Sequence, residues 1–279
     1  MERTTRRPVI NYHTHTWRCQ HAQGTERQFV EHAIDAGFSV LGFADHTPWP
    51  YKSDFISGMR MRWDQFEDYR ATILSLQKEY AGRISIPLGL ECEAFPEYES
   101  WLRDLKAECL DYVILGNHYD YTDEFDHGRL YPEGSFYFGR CTRPEQVARY
   151  GERTIHGMGT GLFDYVAHPD LFMHTYPAFD DECRAVSRDL CQAAKQYDLP
   201  LEFNLLGLYR AESERAKGWQ CYPCPGFWEI AARTGCKAIV GFDAHFPEFV
   251  DRVDLFDRAH DILEGLGMEI VPCLPGIGV

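Results

Sequence analysis

The sequence predicts an α/β fold: a closed, parallel barrel of seven strand-to-helix units, occupying residues 1–279 as a single domain. Short β-rich runs alternate with amphipathic segments along the chain, and no Gly/Ser-rich or Pro-rich linker interrupts them. Histidines and acids collect at the C-terminal ends of the β-rich runs, where a parallel barrel keeps its chemistry. A hydrophobic content of 44% is enough to fill the core of such a barrel.

Taken in order, a strand over residues 9–13 leads to a helix over 25–36 that Gly37 ends, and a second strand over 40–45 follows. A long connection over 47–63, rich in aromatic and basic residues, precedes a helix over 64–80 closed by Gly82. The third strand spans 84–92, the next helix 98–108 and the fourth strand 112–118. A second long connection, 119–143, has the length and the Asp, Gly, Tyr and Phe content of a substrate wall. Beyond it come a helix over 144–159, a strand over 165–168, a helix over 180–197 with Asp180 as N-cap, and a strand over 201–204. A helix over 226–234 ended by Gly235, a strand over 238–243, a helix over 254–265 capped by Asp254 and a weaker strand over 269–273 complete the chain.

The net charge of −15, from 28 Lys+Arg against 43 Asp+Glu, argues against a nucleic-acid partner, because binding phosphate backbones needs clustered cations. It is compatible with a small phosphorylated substrate, since divalent cations reverse the field inside a pocket while the outer surface stays acidic. Arg3, Arg6 and Arg7 run straight into the first strand without the apolar stretch of a signal peptide, and no apolar run approaches the ~18 residues of a membrane span. The expectation is a cytoplasmic protein without a membrane partner. Ten cysteines at irregular spacing read as reduced thiols packed as small hydrophobes. The Cys221-Tyr-Pro-Cys224 pair has no second pair to complete a zinc site and no preceding strand to make a redox unit.

His13 and His15 flank Thr14 at the end of the first strand, so that both imidazoles point the same way. Asp45-His46 ends the second strand, Glu91 the third, His118 the fourth and His168 the fifth; Asp243 and His245 lie at the end of the seventh, and His21 follows the first in a loop. One histidine at a strand end is ordinarily a hydrogen-bonded residue of no special role, and His32, His127, His156, His174 and His260 keep that reading. Nine donors at one rim are different, because carboxylates there would bear a desolvation cost of several kcal/mol without cations. Nine exceed the needs of one ion with an open position, so two or three ions are implied. Imidazole and carboxylate without thiolate suit Zn, Mn or Fe.

His13-Thr-His15 with His21, Asp45-His46, Gly-Leu-Glu91, Gly-Asn-His118, His168-Pro-Asp170 and Asp243-Ala-His245, in this order, resemble the motifs of the PHP (polymerase and histidinol phosphatase) family of metal-dependent phosphoesterases. The resemblance runs from about residue 9 to 250, and "HTHTWRCQHA" and "ADHTPWP" look like its monofunctional histidinol-phosphate phosphatase branch. It implies a distorted, TIM-like (β/α)7 barrel, in agreement with the count of units above, and a site for three divalent metal ions. His13, His15, Glu91 and Asp243 would hold the first metal; Glu91 would bridge to a second completed by His118 and His168; His21, His46 and His245 would hold the third. Glu91, Asp243 and His245 would form the catalytic set, with a metal-bridging hydroxide attacking L-histidinol phosphate to release L-histidinol and phosphate in histidine biosynthesis. A covalent serine route has no G-x-S-x-G elbow to support it.

"LEFNLLGLYR" resembles the family segment near the substrate, which makes Asn204 and Arg210 candidates for substrate binding, Arg210 as a phosphate clamp. Leu205, Leu206 and Phe242 depart from the family's small hydroxyl residues there, which keeps another small phosphate ester, a nucleotide or sugar phosphate, as the alternative substrate. Arg60, Arg62 and Trp63 are candidates to cover the pocket from the first long connection.

Overall fold

Val9–Asn11 forms β1, the first of nine strands in a computed structural model that describes residues 9–122, 124 and 135–278. The order is β1, α1 (Glu26–Ala36), β2 (Phe38–Leu41), β3 (Phe43–His46), α2 (Phe66–Glu79), β4 (Leu88–Cys92), α3 (Glu99–Cys109), β5 (Tyr112–Leu115), α4 (Pro144–Gly159), β6 (Tyr165–Val166) and α5 (Asp181–Gln196). Then follow β7 (Leu201–Asn204), α6 (Leu205–Arg215), α7 (Pro225–Thr234), β8 (Lys237–Gly241), α8 (Val253–Gly265) and β9 (Glu269–Ile270). Every strand pair is parallel: β1 lies on β2, and β3 to β9 follow one another in sequence order. The chain just beyond β1 joins the two ends. Thr14 bridges to Ala244 beyond β8, and on the other flank Ala44 N in β3 donates to Thr14 O at 2.9 Å. The pairings therefore run in a circuit, as the predicted barrel requires.

The helices pack on the outer faces of the strands through one large apolar cluster that includes Phe29, Phe43, Tyr69, Leu90, Tyr150 and Trp228. The opposite faces of the strands form a smaller cluster of Tyr12, Val40, Ala44, Tyr112, Ile114, Tyr165, Ala167 and Ile239, capped by Leu274 and the partly buried Ile277. Strands buried on both faces have little alternation to show, which is why they read as continuous apolar runs. Among the described residues no helix is long and apolar enough to cross a membrane.

The structure corrects several boundaries. The strand expected over 40–45 is two strands broken at Gly42, where a Cβ would collide with the Tyr112 hydroxyl that donates to Tyr12 O at 2.6 Å. The strand expected from residue 84 begins at Leu88; ahead of it only Ser85 makes a bridge, to Val40. α6 falls where no element is expected between residues 204 and 226: Asn204 is both the last residue of β7 and the N-cap of α6, accepting from Gly207 N at 2.8 Å, so no turn separates them. Thr25 caps α1 through a capping box with Gln28, and Asp180 caps α5 as expected. Arg252, not Asp254, precedes α8, with Asp254 in the first turn bound to the Arg252 guanidinium. Gly37 and Gly235 end their helices in the left-handed conformation, while Tyr80 closes α2 before Gly82 is reached. His127 lies outside the described residues, as do residue 123 and the rest of 125–134 in the long connection over 119–143.

Candidate metal centre

Asn11 sets the geometry at the end of β1. Its amide donates to His13 O and Thr14 Oγ1 and accepts from the backbone N–H of His13 and Phe242, tying the first strand to the segment beyond β8. His15 N donates to Ala244 O at 2.9 Å and Ala244 N to His13 O at 3.1 Å. On both segments the side chains flanking the paired residue share one face. His13 and His15 thus meet Asp243 and His245, with the His15 and His245 rings stacked at 4.1 Å. The chain then turns through Trp17–Cys19, held by the buried Arg18 between Glu26 and Asp68, and brings His21 to the rim, 4.8 Å from the His245 ring.

Glu91 occupies the middle. One of its oxygens lies 2.8 Å from His168 Nε2 and 3.5 Å from His118 Nε2; the other lies 2.9 Å from His46 Nδ1 and 3.5 Å from both His13 Nε2 and His15 Nε2. Asp243 Oδ1 lies 3.1 Å from His15 Nε2 and 3.6 Å from His13 Nε2. Two of these residues sit in the left-handed region that side chains with a Cβ avoid, His168 at φ 28° and Asp243 at φ 54°, a strain typical of functional positions.

Behind the inward-facing atoms stands a set of acceptors. His13 Nδ1 lies 2.7 Å from Glu202, His15 Nδ1 3.4 Å from Asp45 and His118 Nδ1 3.5 Å from Glu93. His21 Nδ1 and His245 Nδ1 face the Cys19 and Asp243 carbonyls at 2.7 and 2.9 Å. Such outer partners fix the tautomer and ring angle of a ligating imidazole.

The donor set fits divalent cations. His13 Nε2, His15 Nε2 and Glu91 Oε2 are buried and facing one another, yet none has a hydrogen-bond partner among the described residues. Five trios bring their ligand atoms within 4.8 Å of one another: His13/His15/Asp243, His13/Glu91/His168, His15/His46/Glu91, His21/His46/His245 and His15/Cys19/His245. The first and the fourth fall within expected ligand sets, while the second joins His13 of the first set to Glu91 and His168 of the next. His118 belongs to none of the trios; its Nε2 lies 3.5 Å from Glu91, and its ring lies 4.8 and 5.1 Å from the His46 and His168 rings. Cys19 brings a thiol close to the centre where none was expected, and burial pushes that thiol up and away from ionisation.

The electrostatics are those of a site built around positive charge. Burial disfavours the carboxylate of Glu91, but His118, His13 and His46 hold it well below the usual range, and His13, His15 and His245 do the same for the buried Asp243. Burial also works against charge on His15, but Asp243, Asp45 and Glu91 push it up to about 9. Burial likewise opposes charge on His13, but Glu202, Asp243 and Glu91 raise it well above the usual imidazole range, so a proton competes with a cation for these two rings. His46 and His245 are pushed well below the usual imidazole range by burial and by charge on His15, so their lone pairs are open for ligation.

A cavity of about 590 Å³ opens over the centre, lined by His21, His46, His118, His168, Asp243 and His245 on the floor. Tyr119, Tyr137 and Tyr222 line its walls, together with Arg140 and Arg210. Arg210 is on α6, exposed at the cavity, and among the described residues neither it nor Arg140 forms an ion pair. Asn204 is placed differently from its expected contact with substrate. It is fully buried, with Nδ2 3.2 Å from Asp243 Oδ2 and 2.9 Å from Glu202 Oε2, so it supports the floor from beneath. Arg60 does not cover the pocket either: it is buried against Glu93 at 2.8 Å. Arg62 pairs with Asp64 outside, and Trp63 stacks on Phe66; Gly58 and Met59 are what this connection supplies to the cavity. Three contributors carried no mark in the linear motifs. Glu202 and Glu93 sit on or beside strands behind the donors, and Arg140 lies in the second long connection.

The sequence matches the PHP domain family over residues 11–205. It is 34% identical over 255 residues to a probable histidinol-phosphatase of Deinococcus radiodurans, covering 86% of this chain and 87% of that one. It is 28% identical over 214 residues to the histidinol-phosphatase of Bacillus subtilis, covering 70% of this chain and 80% of that one. Among solved structures, the fold is similar to a histidinol phosphate phosphatase of Lactococcus lactis complexed with Zn, L-histidinol and phosphate. That likeness has a TM-score of 0.69 at 19% identity, over 94% of this chain and 95% of that one. A putative histidinol phosphatase of Listeria monocytogenes aligns with a TM-score of 0.71 at 19% identity, over 88% of this chain and 98% of that one. With donors placed strand by strand around a parallel circuit and a family match across most of its length, the chain belongs to the PHP domain family.

Proposed function

We propose that this protein is a metal-dependent phosphomonoesterase that hydrolyses L-histidinol phosphate to L-histidinol and phosphate. The observation that carries the reading is a cavity floored by six of the nine expected donors, with His13, His15 and Glu91 buried against them, and walled by two arginines without ion-pair partners among the described residues. The relatives named for histidinol-phosphatase activity support it, as does the Lactococcus lactis structure with its Zn, L-histidinol and phosphate.

Three divalent ions, Zn, Mn or Fe, match the donor groups: His13, His15, Asp243 and Glu91 for one, Glu91, His168 and His118 for the next, and His21, His46 and His245 for the third. When bound, such ions supply Lewis acidity at the phosphoryl oxygens and ionise water near neutral pH. The residues of the chain do the rest. Glu91, Asp243 and His245 form the catalytic set that holds the cations at the reacting centre. Arg140 and Arg210 grip the phosphoryl group, guanidinium forks matching its oxygens. Tyr119, Tyr137 and Tyr222 offer flat surfaces to the imidazole end of the substrate. A water oxygen forms the new bond to phosphorus, the bond from phosphorus to the ester oxygen breaks, and the alcohol leaves with the proton that water gives up.

A second reading, hydrolysis of another small phosphate ester such as a nucleotide or sugar phosphate, has the cavity lining in its favour. Among the described residues the only acid there is Asp243, which faces His13 and His15 and is not free for a substrate ammonium group. Phosphate release from L-histidinol phosphate by the Mn- or Zn-loaded protein, beside nucleotide and sugar phosphates and a His13→Ala control, separates the two. Selective, His13-dependent release supports the first reading; release from histidinol phosphate no faster than from the panel removes it.

A further inference from the structure

We infer that Glu202 is a positioning residue that fixes His13 in the tautomer with an inward Nε2 lone pair while holding the His168 backbone and, through Asn204, the Asp243 carboxylate. The inference rests on the metal-centre reading above and concerns a residue that supplies no ligand atom to it.

Glu202 is wholly buried, and all three of its polar neighbours are donors. Oε1 lies 2.7 Å from His13 Nδ1, and Oε2 accepts from His168 N at 3.0 Å and from Asn204 Nδ2 at 2.9 Å. A carboxylate acceptor behind Nδ1 puts the imidazole proton there, which leaves Nε2 bare toward Glu91 and Asp243. The Asn204 amide cannot be reversed without loss. Its Oδ1 accepts from Gly207 N at the start of α6, so its Nδ2 must face Glu202 and Asp243. The bond to His168 N restrains a backbone held at φ 28°. Space for the carboxylate is provided across the sheet by Gly241, paired with Asn204, where a Cβ would collide with Glu202 Oε1. One side chain thus sets three ligands that belong to two of the donor trios.

Glu202→Gln is the direct test, because an amide cannot accept from all three donors. If its NH2 faces His13, the ring proton is forced to Nε2, on the metal side. The full chain, stripped of metal and titrated with Zn in competition with a chelator, should bind about 10- to 100-fold more weakly in the variant. A role confined to stability would lower the urea midpoint of the metal-free protein and leave the zinc affinity of the folded protein unchanged. Histidine ¹⁵N NMR of the zinc-loaded wild type gives a second measurement that does not depend on the variant folding: His13 should be protonated at Nδ1 and bound through Nε2. Wild-type protein that takes up no Zn would defeat the metal-centre reading itself. Wild type that binds while Glu202→Gln binds within about twofold, or His13 bound through Nδ1, would overturn the role of Glu202 alone.

Discussion

Gly116 stands directly against Glu91: a Cβ at residue 116 would collide with Glu91 Oε1, the oxygen that lies 2.8 Å from His168 Nε2. The absent side chain is what lets the central carboxylate reach across the ring. Gly116→Ala should therefore displace Glu91, with an overpacking cost of about 1–3 kcal/mol. Metal content by elemental analysis should fall and phosphatase activity drop at least about tenfold, while circular dichroism keeps the wild-type fold. Unchanged metal content would show that Glu91 has another route to the centre.

Arg140 and Arg210 are the cavity's cations, and their removal should separate substrate binding from metal binding. Each replaced by Ala should lower kcat/KM about 10- to 100-fold, the loss of a charge-assisted hydrogen bond, with metal content intact. Arg210→Lys should recover part of the loss, because a point charge replaces a fork. Steady-state kinetics beside metal analysis checks this; metal loss in the Ala variants would count against a phosphate role.

Metal affinity should rise with pH up to about 9. In the metal-free protein the folded pKa of His15 is raised from 6.5 to about 9, burial opposing and Asp243, Asp45 and Glu91 prevailing. Its proton thus stabilises the metal-free fold fully below about pH 6.5, a contribution lost as pH rises through about 9. A cation must displace that proton, so zinc affinity should increase up to about tenfold per pH unit between these values. Chelator-buffered titrations from pH 6 to 9 make the measurement; a flat profile would mean that His15 is not a ligand.

Glu93 supplies a separate pH dependence. Burial raises its pKa, but Arg60 and His118 more than reverse this and bring it to about 2 from 4.5. A depressed carboxylate stabilises the fold above its unfolded pKa and loses that contribution as pH falls through the folded one. About 3 kcal/mol should therefore disappear between pH 4.5 and 2. Urea midpoints across this range should fall more steeply for wild type than for Glu93→Gln. Arg60→Met, which leaves the carboxylate buried without its cation, should cost about 3–5 kcal/mol at neutral pH.

The donors were legible because strand ends repeat a simple geometry. His13 and His15, or Asp243 and His245, need only period-two alternation to share a face, and each strand in turn delivers its residues to the same rim. The same alternation carried a signal for Glu202 and Asn204, the polar pair that alternates with Leu201 and Phe203 in β7, but nothing in a linear motif says that the two point beneath His13 rather than into the cavity. α6 was hidden because its cap is also the end of a strand, leaving no turn residues to mark the change. Arg60 read as a candidate to cover the pocket because its partner, Glu93, lies 33 residues further along the chain and only folding brings them together. Arg140 lies in a connection whose course no periodicity dictates.

Thr14 and Ala244, paired at the seam of the strand circuit, come from opposite ends of the sequence. On the ribosome, Asp243 and His245 emerge well after His13 and His15, with most of the strands synthesised in between. A nascent chain that ends before Asp243 lacks both the seam and a donor of the proposed first site, however well its earlier strands have paired. Under the proposed ligand sets, the first site can therefore be completed only once the segment beyond β8 has closed onto the chain beyond β1.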